Sequence, residues 1–162
     1  MRELGIIHTR LDERLIHGQV ATMWLGSLGA TRVMIVDDQI VKDEIGKAAL
    51  KAAVPCGIKL SILKTDTAVS RILNGSYTEQ KVVIICKNIK TFLKMVDLGL
   101  PIRQLNLGNS CQKEGTIQVT KSVFLTPTEI ERLEQLEKQG VEITAQMVPM
   151  EEPKPFSQLY RK

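Results

Sequence analysis

The chain has 162 residues, enough for one domain with a proper core. Hydrophobic residues make up 43% and charged residues 25%, the balance of an ordinary soluble globular protein; aromatics are only 4%, so the core should be aliphatic. Twenty-two basic residues against 18 acidic give a net charge of +4. That dispersed excess favours an acidic or phosphorylated partner and falls short of a nucleic-acid signature, which would interleave basic and aromatic residues. The start, Met1-Arg2-Glu3-Leu4, leads into too short an apolar run for a signal peptide, and no stretch approaches the roughly 20 apolar residues of a membrane span. Cys56, Cys86 and Cys111 form neither a disulfide framework nor a zinc pattern, and Cys86 closes an apolar run as a buried thiol would. A reduced, cytoplasmic, soluble protein is expected.

Short apolar runs alternate with helical patterns along the chain. Strands are expected at residues 5–9, 32–36, 58–63, 82–86, 104–107, 122–125 and 141–144. Several are continuous and aliphatic, such as Val82-Val83-Ile84-Ile85, which suits a parallel sheet covered on both faces. Val20, Met23 and Trp24 line one face of a first helix, with Trp24 expected in the core. Val41, Ile45, Ala48, Ala49 and Ala52 line a second, and Ala68, Val69, Ile72 and Leu73 a third that stops at Asn74-Gly75. Asn88 can cap a fourth, with Ile89, Phe92, Leu93 and Val96 inward and Gly99 past its end. Thr126-Pro127-Thr128-Glu129 reads as a capping box opening a fifth, with Ile130, Leu133 and Leu136 as its stripe and Gly140 as its stop.

This alternation predicts a single α/β domain spanning 1–162: an open, mostly parallel central sheet of about seven strands with helices on both faces and right-handed crossovers. Residues 108–121 are long for a connection and should form a binding loop or a small hairpin. Residues 150–162 read as an extended C-terminal strap, with Phe156, Leu159 and Tyr160 docking the tail.

The most informative stretch is the run from Arg10 to Val20, RLDERLIHGQV. It places His17 where a strand gives way to a helix, with Arg10, Asp12 and Arg14 close by in sequence. In open α/β sheets ligands gather at the carboxyl ends of strands, near the switch in strand order. A helix start offers unpaired N–H groups and the positive end of the helix dipole, which suit an anion. His17 is a plausible nucleophile because neutral imidazole exists at physiological pH. Arg10 and Arg14 can hold a phosphoryl group by forked hydrogen bonds and dock an acidic partner. The backbone N–H groups of Gly18, Gln19 and Val20 can complete the cradle, and Gly18 leaves room for close approach. Asp12 is expected to orient the imidazole, as a triad carboxylate does. Charge and position alone leave phosphate binding and phosphate transfer both open. Scattered carboxylates and two histidines give no metal-ligand spacing, so neither metal nor cofactor is expected. His8, on the first strand, is read as structural.

The run from Arg10 to Val20 closely resembles the phosphorylation-site segment of the IIB components in the mannose/fructose/sorbose family of the bacterial sugar phosphotransferase system. Asp37-Asp38 with Asp43 and Lys47, the stretch from Ala53 to Lys59, Leu105-Asn106-Leu107-Gly108-Asn109, Lys121-Ser122-Val123 and Gly140-Val141-Glu142 extend the resemblance over nearly the whole chain. The chain departs from the family pattern at Ser110-Cys111. The resemblance implies that His17 takes a phosphoryl group from a histidine of a IIA protein and passes it to a sugar held by the membrane components IIC and IID. This is the activity of a protein-N(pi)-phosphohistidine–sugar phosphotransferase. The chain starts directly at the first strand, so the IIA donor is expected to be a separate polypeptide. The alternative is a phosphate- or phosphometabolite-binding regulatory module phosphorylated on His17 for signalling, since a fold does not fix its use.

Overall fold

The computed structural model describes residues 1–159. Its elements run β1 (Ile6–Asp12), α1 (Gly18–Leu28), β2 (Arg32–Val36), α2 (Glu44–Ala53), β3 (Lys59–Leu63), α3 (Thr65–Leu73), β4 (Val82–Cys86) and α4 (Ile89–Asp97). They continue with β5 (Gln104–Asn109), β6 (Ile117–Thr120), β7 (Val123–Leu125), α5 (Pro127–Lys138), β8 (Glu142–Ala145), β9 (Lys154–Pro155) and α6 (Phe156–Leu159).

Seven strands form one sheet in the order β3-β2-β4-β1-β5-β8-β9. All pairings are parallel except that of β9, which runs antiparallel to β8. The expected strand at 122–125 is absent from this sheet. It pairs instead with β6 as a separate hairpin, so residues 108–121 adopt the hairpin option. The seventh place goes to the strap. Pro155 can sit there because an edge strand leaves one row of backbone groups unpaired. Phe156 is buried and Leu159 half-buried against the larger core; Tyr160 lies outside the described residues.

Strand alternation splits the core in two. Met34, Val36, Val82 and Ile84 point towards α3, α4 and α5, where Ile72, Phe92, Ile130 and Leu133 cover them. Val33, Ile35, Val83 and Ile85 point the other way, under Ala21 and Leu25 of α1 and Leu50 of α2. The capping box at Thr126 and Glu129 is present, with Pro127 in the first turn, and the Asn88 side chain caps α4 by accepting from the Thr91 N–H.

Helix α2 departs from the expected orientation. Asp43 caps it, so Val41 precedes it, and Ile45 is 85% exposed, with Ala48, Ala49 and Ala52 also facing out. Leu50 alone is buried. Leu50 enters the α1-side core with Val54 packed beside it, and the helix is turned accordingly. Leu73, expected inward on α3, is likewise exposed.

The topology locates a crevice. From β1 the chain crosses beyond β4 to β2, while from β5 it continues to β8 on the opposite flank. The carboxyl ends of β1 and β5 are therefore the switch point where this class of sheet binds ligands.

Candidate active site at the carboxyl end of the first strand

Strand β1 runs three residues further than sequence suggests, to Asp12, because β5 continues to pair with it: Arg10 opposite Asn106, Leu11 opposite Leu107, Asp12 opposite Asn109. Leu11 enters the larger core, so Arg10 and Asp12 project to the α1 side. Both are 2% exposed. Two charges leave water together only if their hydrogen-bonding capacity is met, and here it is.

The Arg10 guanidinium donates to Asn106 Oδ1, to the Gln146 and Met147 carbonyls at 3.0 Å each, and to Asp12 Oδ2 at 3.3 Å. Trp24 lies 5.0 Å from it by ring centroid, a cation–π contact, and the indole Nε1 donates to the same Met147 carbonyl at 2.9 Å. A Cβ at Gly108 would overlap the guanidinium, so that position is glycine for space. Burial works against the Arg10 charge, and Asp12 is the chief group opposing that effect. Arg10 is thus fully caged. It has no surface to offer a docking partner, which corrects that part of the expectation.

Asp12 is the hub. Oδ1 accepts from the Arg14 backbone N–H at 3.0 Å and from Arg14 Nε at 3.1 Å; Oδ2 accepts from Arg14 Nη2 at 3.2 Å. Arg14 is held by this fork with its side chain 32% exposed, and its Nη1 has no protein acceptor among the described residues. The expected hydrogen bond from Asp12 to the His17 imidazole is not present. Asp12 lines the same crevice as His17 but spends its oxygens on the two arginines. A turn explains why: the Leu15 N–H bonds the Asp12 carbonyl at 2.9 Å, and Leu15 takes φ 59°, a left-handed conformation that costs a branched residue about 1–2 kcal/mol. Its buried side chain anchors the turn against the α1-side core, and the chain then presents His17 outward.

His17 is exposed, extended at φ −136°, and is the N-cap residue of α1. The first helical hydrogen bond runs from the Ala21 N–H to the His17 carbonyl at 3.4 Å. Gly18, Gln19 and Val20 therefore head the helix with N–H groups that have no protein acceptor among the described residues. Gly18 has φ 50°, and open space surrounds the position a Cβ would take. Arg10, Asp12, His17, Val20 and Trp24 line one crevice with about 10 Å³ of room, so a phosphoryl group on His17 would lie outside it, toward solvent. On the opposite side of the turn, Glu13 accepts from the Cys111 N–H and pairs with Lys113 at 3.5 Å.

His8 stands on β1 and stacks on Trp24, ring centroids 5.1 Å apart. Its Nε2 is buried with no partner. Burial first, then the Arg10 charge, lowers its pKa to about 4, so it is neutral. Sequence reasoning passed over Asn106, Gly108, Met147 and the site role of Trp24. One signal was available: in Leu105-Asn106-Leu107 a polar residue interrupts a buried strand, on the face that Arg10 occupies.

Among the described residues no helix is long and apolar enough to cross a membrane, and no three His, Cys, Asp or Glu side chains are grouped to hold a metal ion.

An α/β domain with an exposed histidine, an open helix start and a carboxylate-anchored arginine fork at its switch point is of the class whose crevice suits an anionic ligand. Residues 6–162 match the family model described as the PTS system sorbose subfamily IIB component. The chain belongs to this family, the IIB components of the mannose/fructose/sorbose type, which are phosphotransferases of sugar transport. It is 35% identical to the sorbose-specific EIIB component of Klebsiella pneumoniae over 90% of this chain and 88% of that one. Identity to the corresponding protein of Lacticaseibacillus casei is 34%, over 86% and 85%. The crystal structure of the Klebsiella pneumoniae IIBSor domain superposes with a TM-score of 0.85 at 34% identity, covering 91% of each chain. That of manxB from Thermoanaerobacter tengcongensis gives 0.87 at 33%, covering 94% and 92%.

Proposed function

We propose that this chain is a cytoplasmic phosphocarrier. His17 accepts a phosphoryl group from the phosphohistidine of a IIA protein and delivers it to a sugar held by membrane IIC and IID components. The observation that carries this reading is the exposed His17 imidazole at the open start of α1, in one crevice with Asp12, the carboxylate that fixes the Arg14 fork. A neutral ring nitrogen of His17 attacks phosphorus and the donor's N–P bond breaks. In the second step a sugar hydroxyl attacks, the His17 N–P bond breaks, and the departing imidazole takes up the hydroxyl proton. Arg14 has donors left for the transferring oxygens, and the amides of Gly18, Gln19 and Val20 supply further neutral donors. Arg10 and Asp12 act behind Arg14.

Both partners must reach one imidazole, so they bind in turn. The mannose-specific EIIAB component of Escherichia coli, to which this chain is 28% identical, spans more than twice its matched segment, and its name joins IIA and IIB. That supports a IIA donor for this chain too. The test is a chase. The chain is phosphorylated with phospho-IIA, freed of donor, and mixed with sugar and membranes carrying or lacking IIC and IID. Sugar phosphate should appear only with the membrane components. Transfer to sugar without them, or retention of the phosphate with them, would overturn the reading.

A further inference from the structure

We propose that Trp24 and the C-terminal strap form a positioning clamp for phosphoryl transfer, setting the pose of Arg14 through Arg10 and Asp12. The inference rests on the phosphocarrier reading and assigns a role to residues outside the motif.

The contacts form one line. Residues after β8 fold back on themselves: Gln146 Nε2 donates to the Pro149 and Glu151 carbonyls, and the Met147 N–H to the Glu151 carboxylate. Pairing of β9 with β8 and the buried Phe156 tie the far end of this strap to the domain. The turn at Gln146-Met147 that leads into the strap offers two carbonyls inward. Gln146 takes Arg10 and the Asn106 amide; Met147 takes Arg10 and the Trp24 indole. Trp24 is the link between helix and strap. It comes from α1, the helix that His17 caps, and its ring covers the Arg10 guanidinium that Gly108 leaves room for. Arg10 then meets Asp12 Oδ2, the oxygen that also holds Arg14 Nη2. Met147 Sδ closes the loop at 3.5 Å from Arg14 Nη2.

Each joint is a hydrogen bond or a cation–π contact. An Asp12 carboxylate shared by two arginines adopts the pose that both permit. Release Arg10 from the strap, and Asp12 keeps only its Arg14 partners, so the fork loses the anchor on its Oδ2 side. A buried ring with only a packing role would leave Arg14 unaffected. Trp24 is buried and acts through its contacts with Arg10 and the Met147 carbonyl, so it is a positioning residue.

The experiment is a double-mutant cycle on phosphorylation by phospho-IIA. Trp24→Phe keeps a ring but removes the indole N–H. Gly108→Ala perturbs Arg10 from the opposite side. On wild-type background each should lower the maximal rate about tenfold while the donor KM stays unchanged. On an Arg14→Ala background neither should lower the rate further, because both act through Arg14. Independently of activity, the Arg14 Nε–H resonance should shift or broaden in both variants and in the unphosphorylated protein. Equal rate losses on both backgrounds, or an unchanged Arg14 resonance in both variants, would overturn the clamp. If Trp24→Phe does not fold, Gly108→Ala alone decides. If wild type takes no phosphate at all, the phosphocarrier reading falls and the clamp's catalytic role with it.

Discussion

His8 makes a sharp prediction about stability. Its buried imidazole stacks on Trp24, and burial first, then the Arg10 charge, lowers its pKa from 6.5 to about 4. The folded state therefore binds fewer protons than the unfolded chain between those values, and stability falls as pH drops through that window. Taken over the whole window, at 1.36 kcal/mol per pH unit, the loss is about 3 kcal/mol. Between pH 7 and pH 5 it amounts to about 2 kcal/mol, because the unfolded imidazole is mostly protonated at pH 5 and the folded one is not. His8→Phe keeps a ring against Trp24 and removes the titration. Urea unfolding of both proteins at pH 7 and pH 5 isolates the His8 share, since every other group titrates in both. Wild type should lose about 2 kcal/mol more than the variant over this interval. Equal losses in the two proteins would refute the placement of His8 as a neutral, buried imidazole near a cation.

The two arginines should separate by phenotype. Arg14→Ala should slow phosphorylation by about ten- to a hundredfold and, by taking two hydrogen bonds from buried Asp12, cost about 1–3 kcal/mol, whereas Arg10→Ala strips Asn106, the Gln146 and Met147 carbonyls and Asp12 of one buried partner at once and should cost about 3–5 kcal/mol in urea unfolding. Equal destabilisation by both would contradict the cage. Ile45→Ser on the exposed face of α2 should stay within about 0.5 kcal/mol of wild type, and a loss of 2 kcal/mol or more would restore the inward orientation that periodicity suggested. Phe156→Ala should cost about 3–5 kcal/mol if the strap is docked as described. Thermal unfolding that is unchanged in that variant would show the tail to be dispensable.

Most of the architecture was legible because it rests on local signals. Continuous aliphatic runs identified the central strands, and the Thr126 box and Asn88 cap fixed the starts of α5 and α4. Three features were hidden for physical reasons. The stripe on α2 has helical spacing whichever side faces the sheet, and alanine carries too little apolar area to choose. The strap strand is two residues long with a proline, so neither alternation nor propensity marks it; only pairing with β8 creates it. At the site, the motif put Asp12 and His17 five residues apart, which suggested contact. The left-handed turn at Leu15 sends His17 outward while strand alternation sends Asp12 inward to the arginines. Asn106, Gly108 and Met147 joined the site from more than 90 positions away in sequence, a distance that no spacing rule spans.

The central claim is that His17 is the phosphoacceptor, and peptide-level detection of acid-labile phosphate after incubation with phospho-IIA tests it most directly. The account predicts one phosphate, carried on the peptide containing His17, abolished by His17→Gln and retained in His8→Phe. Phosphate persisting on the His17→Gln chain, or found on any other peptide of the wild type, would contradict it.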